Sequence, residues 1–164
     1  MGHFGFSWVG LIFLLLITIP NLVWTRHKPH GYDPSVENRI LLIFERVGQV
    51  LVTCAALCFS DYNFLIRLAW AMWMVAACAL ILIYKAWWIR YFLGPRRIAD
   101  FYSSILDIPV AGATLPVLSF MFLGIYGKVI WLILGTIILG IGHIGIHLQH
   151  RARLKGREET VNCG

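Results

Sequence analysis

An all-α bundle of five membrane-spanning helices is the fold the sequence predicts, and three observations predict it. Of 164 residues 59% are hydrophobic and only 13% charged, where a soluble domain carries about a quarter charged residues. The apolar residues fall into runs long enough to cross roughly 30 Å of hydrocarbon at about 1.5 Å per residue. Lys and Arg gather at alternate ends of those runs, as they do where loops are sorted across a bilayer.

The first run, Phe4 to Trp24, contains no charged residue. It lacks the basic start and small-residue cleavage site of a secretory signal, so it is expected to remain as a span. Thr25 to Ser35 holds Pro29, Gly31 and Pro34 among basic residues and reads as a loop. A second helix is expected from Asp33 to Val36 onward. It carries Glu37, Arg39, Glu45 and Arg46 before an uncharged stretch from Val47 to Ser60, and Asp61 to Asn63 makes a turn. The third run, Leu68 to Tyr84, lies between Arg67 and Lys85 and has 17 uncharged residues. Gly94 and Pro95 then break the chain, and Pro95 is placed to start a short interfacial helix. A fourth helix is expected from Ile105 to Tyr126, with Asp107 near its start and Pro109, Gly112 and Pro116 within it. Gly127 and Lys128 form the tightest loop, and the fifth helix runs from Val129 to about Leu148. Residues 1–150 therefore read as one transmembrane unit and 151–164 as a basic cytoplasmic tail.

Twelve of the 14 Lys and Arg residues fall on one side of this topology, leaving only Arg67 and Lys128 on the other. Cytoplasmic loops retain basic residues, so a cell-membrane protein with its N-terminus outside and its C-terminus in the cytoplasm is expected. The tryptophans agree: Trp8, Trp70, Trp73 and Trp131 fall near outer ends and Trp24, Trp87 and Trp88 near inner ends, where indoles favour the headgroup level. Because the basic residues adjoin apolar runs, the net charge of +6 points to anionic lipid and not to nucleic acid. Cys54, Cys58 and Cys78 lie inside apolar runs, so they are read as small hydrophobes and no disulfide framework is expected.

Polar side chains inside a span face the bundle or a wet cavity, because hydrocarbon offers them no partner. On the second helix Glu45, Gln49 and Thr53 share a face; on the fifth, Thr136, Gly140, His143, His147 and His150 make a seam. Ser104, Asp107, Ala111 and Thr114 are spaced as a stripe on the fourth, and Thr18, Asn21 and Thr25 on the first. The third helix has no stripe and is expected to be the most lipid-exposed. Counting helical rise from the outer ends places Glu45 at about 22 Å and His143 at about 21 Å, with Asp107 and His147 about a turn deeper.

The candidate site is therefore Glu45, Asp107, His143 and His147, with Asn21 and Arg46 nearby, in the cytoplasmic third of the bundle. A carboxylate beside an imidazole in a poorly solvated place holds a proton, a cation or a transition metal. His143 and His147 are the metal candidates by their i, i+4 spacing, but no glutamate lies between them, so this is not the HExxH metallopeptidase pattern. No Walker loop, GxGxxG, GxSxG or CxxC occurs, and no cofactor is strongly implied. The expected function is a small carrier or channel-like protein that binds a solute, proton or cation in this layer. It is expected to act as a homo-oligomer or with a membrane partner. The alternatives are an accessory or immunity-type protein acting through helix packing, or a lipid-modifying enzyme with Asp107, Glu45 or His143 as general base.

Overall fold

The computed structural model describes residues 2–29, 32–63, 70–105 and 108–162, with side chains through residue 156 except that of residue 36. Its helices are α1 (Trp8–Arg26), α2 (Arg39–Cys58), α3 (Ala71–Leu93), the short α4 (Ile98–Phe101), α5 (Ala111–Gly127) and α6 (Ile130–Asn162). Single 3-10 turns cover Pro34–Val36 and Ser60–Tyr62. Four helices (α1, α2, α3 and α6) are long and apolar enough to cross a membrane. The 17-residue α5 is apolar but shorter. The chain is an all-α helical bundle with the composition of an integral membrane protein.

Local chemistry sets the helix ends. Ser7 caps α1 by accepting from the Gly10 amide at 2.9 Å, and Asn38 caps α2 by accepting from Ile40 at 2.8 Å, each satisfying an amide that has no intrahelical partner. Asp33 accepts from Ser35 and, with Pro34, turns the chain once before α2, which therefore begins a few residues later than expected. α3 runs through Lys85 and stops at Gly94, because nothing at Lys85 interrupts the backbone whereas Gly94 and Pro95 do. Pro95 does not start the next helix; Arg97 is the N-cap of α4, and the Asp100 carboxylate accepts from its amide at 3.2 Å.

The fourth predicted helix also begins late. Ile105 and Ile108 exchange backbone hydrogen bonds, and Val110 sits at a left-handed φ of 44°, so helical geometry begins only at Ala111. Ser104 and Thr114 therefore do not share a helix face. The Thr114 hydroxyl instead donates to the Pro109 carbonyl at 2.8 Å. Asp107 lies outside the described residues. α6 continues as helix far beyond Leu148.

The helices pack in a closed order. α6 lies along α2 on one side and α5 on the other, α5 packs on α3, and α1 bridges α3 and α2 with much thinner contacts. At its start α1 touches α2: an added Cβ on Gly10 would land on the Ala56 carbonyl, and Gly5 and Ser7 donate to Cys58 and Leu57 carbonyls at 3.0 Å. Near its end α1 touches α3 instead, where Asn21 Nδ2 donates to the Tyr84 hydroxyl at 2.9 Å and that hydroxyl donates to the Ile17 carbonyl at 3.3 Å. α1 thus crosses the face of the bundle, and a wedge opens between it and α2.

The expectation that the third helix is the most lipid-exposed is corrected by this packing. Its apolar window is 33% buried, against 22% for α1 and α2 and 28% for α6. The missing signal was not a polar stripe but an aromatic one: Tyr84, Trp87, Trp88 and Tyr91 pack with Trp24, Phe101 and Tyr102. Trp24, Trp87 and Trp88 are therefore core residues, with Trp87 fully buried, its ring filling the space above Gly112. Trp8 and Trp131, at the opposite end, are exposed.

At that opposite end Asn63 ties the turn after α2 to the start of α1. Its Oδ1 accepts from the Trp8 amide at 3.1 Å and the Ser7 hydroxyl at 3.3 Å, and its Nδ2 donates to the Phe6 carbonyl at 3.0 Å. Asn63→Ala is expected to cost about 1–2 kcal/mol, the usual loss for a helix N-terminal cap, read as a lower melting temperature in detergent with no change at the other end of the bundle.

Candidate binding site

The site is made by the crossing of α2 and α6. An added Cβ on Gly48 would meet the Leu139 backbone, and one on Gly142 would meet the backbone nitrogen of Glu45 and the carbonyl of Leu41. Only glycine lets two helix backbones come so near. That approach brings the adjacent His143 to Glu45, whose Oε1 lies 2.6 Å from its Nδ1. Both side chains are mostly buried, 24% exposed for His143 and 13% for Glu45. The pairing inferred from matched height is present.

Two further imidazoles follow along α6. The His147 ring lies 4.8 Å from that of His143 and packs on Phe101 and Tyr102 at 5.4 and 5.3 Å. Its Nδ1 is buried and has no hydrogen-bond partner among the described residues. One turn later His150 stacks on Tyr102 at 5.3 Å and on Tyr32 at 5.7 Å. Its Nε2 is 3.3 Å from Glu37 Oε1, the same oxygen that accepts from the Tyr32 hydroxyl at 3.0 Å. Burial first, and the Glu37 carboxylate next, push the Tyr32 phenol well above its ordinary range. Tyr102 is raised by burial and then by Tyr32 and Glu37. Both phenols remain protonated, and Tyr32 donates to Glu37. Three imidazoles thus run between two carboxylates.

All of these groups except His150 border a cavity of about 540 Å³ in the wedge between α1 and α2, within the roughly 300–1,000 Å³ of small-molecule sites. Asn21, Glu45, Arg46, His143 and His147 all line it. Asn21 is tied to Tyr84, whereas the exposed Arg46 donates to Gln49 Oε1 at 3.4 Å and, among the described residues, pairs with no carboxylate. α5 contributes Pro116, Val117 and Phe120, all apolar. Among the described residues no group of three His, Cys, Asp or Glu side chains is placed to hold a metal ion. His143 and His147 supply two donors, where zinc sites use three or four protein ligands.

Sequence reasoning passed over Glu37, Tyr32 and Tyr102. Glu37 and Tyr32 sit in the connection before α2, and no periodicity predicts what a loop folds back upon. Gly48 and Gly142 were visible as the smallest residues beside Glu45 and His143 in otherwise bulky apolar helices, a signal of close helix approach. Comparison with known protein families, curated proteins and solved structures finds no match. Fold and site together define a polytopic α-helical membrane protein with a mostly apolar cavity that carries charged and imidazole groups on part of its wall.

Proposed function

We propose that the protein is a small carrier of the cell membrane that binds a solute in the cavity and exchanges a proton at the Glu45–His143 pair. The observation that carries this reading is the 2.6 Å contact between those side chains at the wall of the cavity. A carboxylate and an imidazolium in contact stabilise each other's charged form, so that opening the contact lets the imidazolium give up its proton. His147 and His150 extend the pair toward Glu37 at the end of the bundle.

The twelve basic residues assigned to one side support an N-terminus outside and a C-terminus in the cytoplasm, with the cavity in the cytoplasmic half. One wall of the bundle is thin where α1 bridges α2 and α3. The test is proton entry into proteoliposomes under an imposed pH gradient, read by an internal pH dye. Wild type is expected to conduct and Glu45→Gln to lose the flux while keeping its helical circular dichroism. Equal rates in the two proteins would remove the pair from the mechanism.

A further inference from the structure

The wedge between α1 and α2 has a direction, and that direction selects a ligand. Because α1 leans on α2 at Gly10 and on α3 at Asn21, the two helices that flank the cavity diverge toward its polar end. Tyr32 and Glu37, in the connection from α1 to α2, line the cavity and are held against His150, so the end of the bundle is covered. The lining residues that remain exposed are Thr18, Asn21 and Thr25 on α1 and Arg46 and Thr53 on α2. They stand on the two lips of the wedge. Beside them, Leu15, Ile19 and Leu22 on α1 and Val47 and Val50 on α2 are exposed large hydrophobics. An opening with apolar flanks on membrane-spanning helices faces acyl chains, not water.

Inside, the cavity is divided. Leu14, Ile17, Val52, Phe120 and Leu139 form an apolar floor, while the charged groups and imidazoles, Glu37, Glu45, Arg46, His143 and His147, collect toward the other end. Glu45 is engaged by His143, and Glu37 by Tyr32 and His150. That leaves the Arg46 guanidinium at the lip as a cation that makes no salt bridge among the described residues, although its charge is felt by the neighbouring Glu45. Guanidinium binds phosphate and carboxylate oxygens with two parallel hydrogen bonds, stronger in a poorly solvated site than in water.

We propose that the wedge is a lateral portal through which an anionic lipid enters from the bilayer, its headgroup on Arg46 and its chain over the Leu14–Phe120 floor. This rests on the carrier reading and names its solute: an amphiphile delivered by the membrane itself. The lipid's negative charge would sit one turn from Gln49 and beside the Glu45–His143 pair, so that its arrival and the proton's movement share one cavity.

The experiment uses the full-length protein in a neutral detergent with equal phosphatidylglycerol and phosphatidylcholine, and native mass spectrometry reads the lipid retained. Wild type is expected to keep phosphatidylglycerol preferentially. Arg46→Gln is expected to reduce that preference by about tenfold, the loss of one charge-assisted contact. Thr53→Trp, which keeps the charge and fills the lip, is expected to reduce retention of both lipids. Arg39→Gln, which removes an exposed cation at the start of α2 outside the cavity, serves as the control and is expected to behave as wild type. Equal losses in Arg39→Gln and Arg46→Gln would show annular binding by any basic residue and overturn the portal, as would unchanged retention in Thr53→Trp. The two readings fail separately. Loss of lipid selectivity in every protein alongside intact Glu45-dependent proton flux sinks the lipid assignment alone, and selective retention without Glu45-dependent flux sinks the proton exchange alone.

Discussion

Gly142→Ala is expected to separate α2 from α6 and to unfold the site with them. The new methyl would meet the Glu45 nitrogen and the Leu41 carbonyl, both backbone atoms, so no side chain can rotate out of its way. Overpacking of this kind costs about 1–3 kcal/mol, and here the strain is delivered to the residue that carries the carboxylate. A lower melting temperature and loss of proton flux should appear together. Gly145→Ala provides a graded comparison, since its methyl would meet only the Leu41 side chain at 3.0 Å. Gly156→Ala, where nothing lies within 4 Å of the added carbon, should be neutral or stabilising by up to about 1 kcal/mol through helix propensity. Equal melting temperatures for all three would mean that α2 and α6 do not meet at Gly142.

The second large effect is expected from breaking the Glu45–His143 pair on one side only. His143→Leu leaves a mostly buried carboxylate whose contact has been replaced by a methyl group. Removing one member of a buried pair costs about 3–5 kcal/mol, because the survivor keeps its desolvation penalty and loses its partner. The double variant Glu45→Leu with His143→Leu removes both penalties and is expected to be no less stable than either single variant, although without flux. Thermal unfolding of the four proteins in one detergent gives the coupling energy directly. Additive losses would show that the two side chains do not depend on each other.

How much of this was legible beforehand follows from the kind of physics involved. The spans were readable because hydrocarbon thickness imposes a run length on any helix that crosses it, and the structure's long helices fall on the expected segments. That Glu45 and His143 stand at matching height was readable because helical rise converts sequence position to depth; that they touch was decided by the packing of α2 on α6. Boundaries were less so. The start of α5 depended on Val110 taking a left-handed conformation that its residue type does not advertise. The exposure of α3 was misread because its buried face is made of tryptophan and tyrosine rings, which are also what a lipid-facing or interfacial surface uses.

The linear chain determined which segments are apolar enough to lie in a membrane and which polar groups would need partners there, since both follow from solvation of single segments. Which groups meet, and where the bundle opens, are properties of helix pairs. Gly10 and Gly142 set how near two backbones come, and the tilt of α1 from Ala56 to Tyr84 sets the wedge. Glu37 reaches His150, 113 positions away, through a loop whose path no local preference encodes. Contacts of that range arise from packing, and so they were visible only once the helices had been placed against one another.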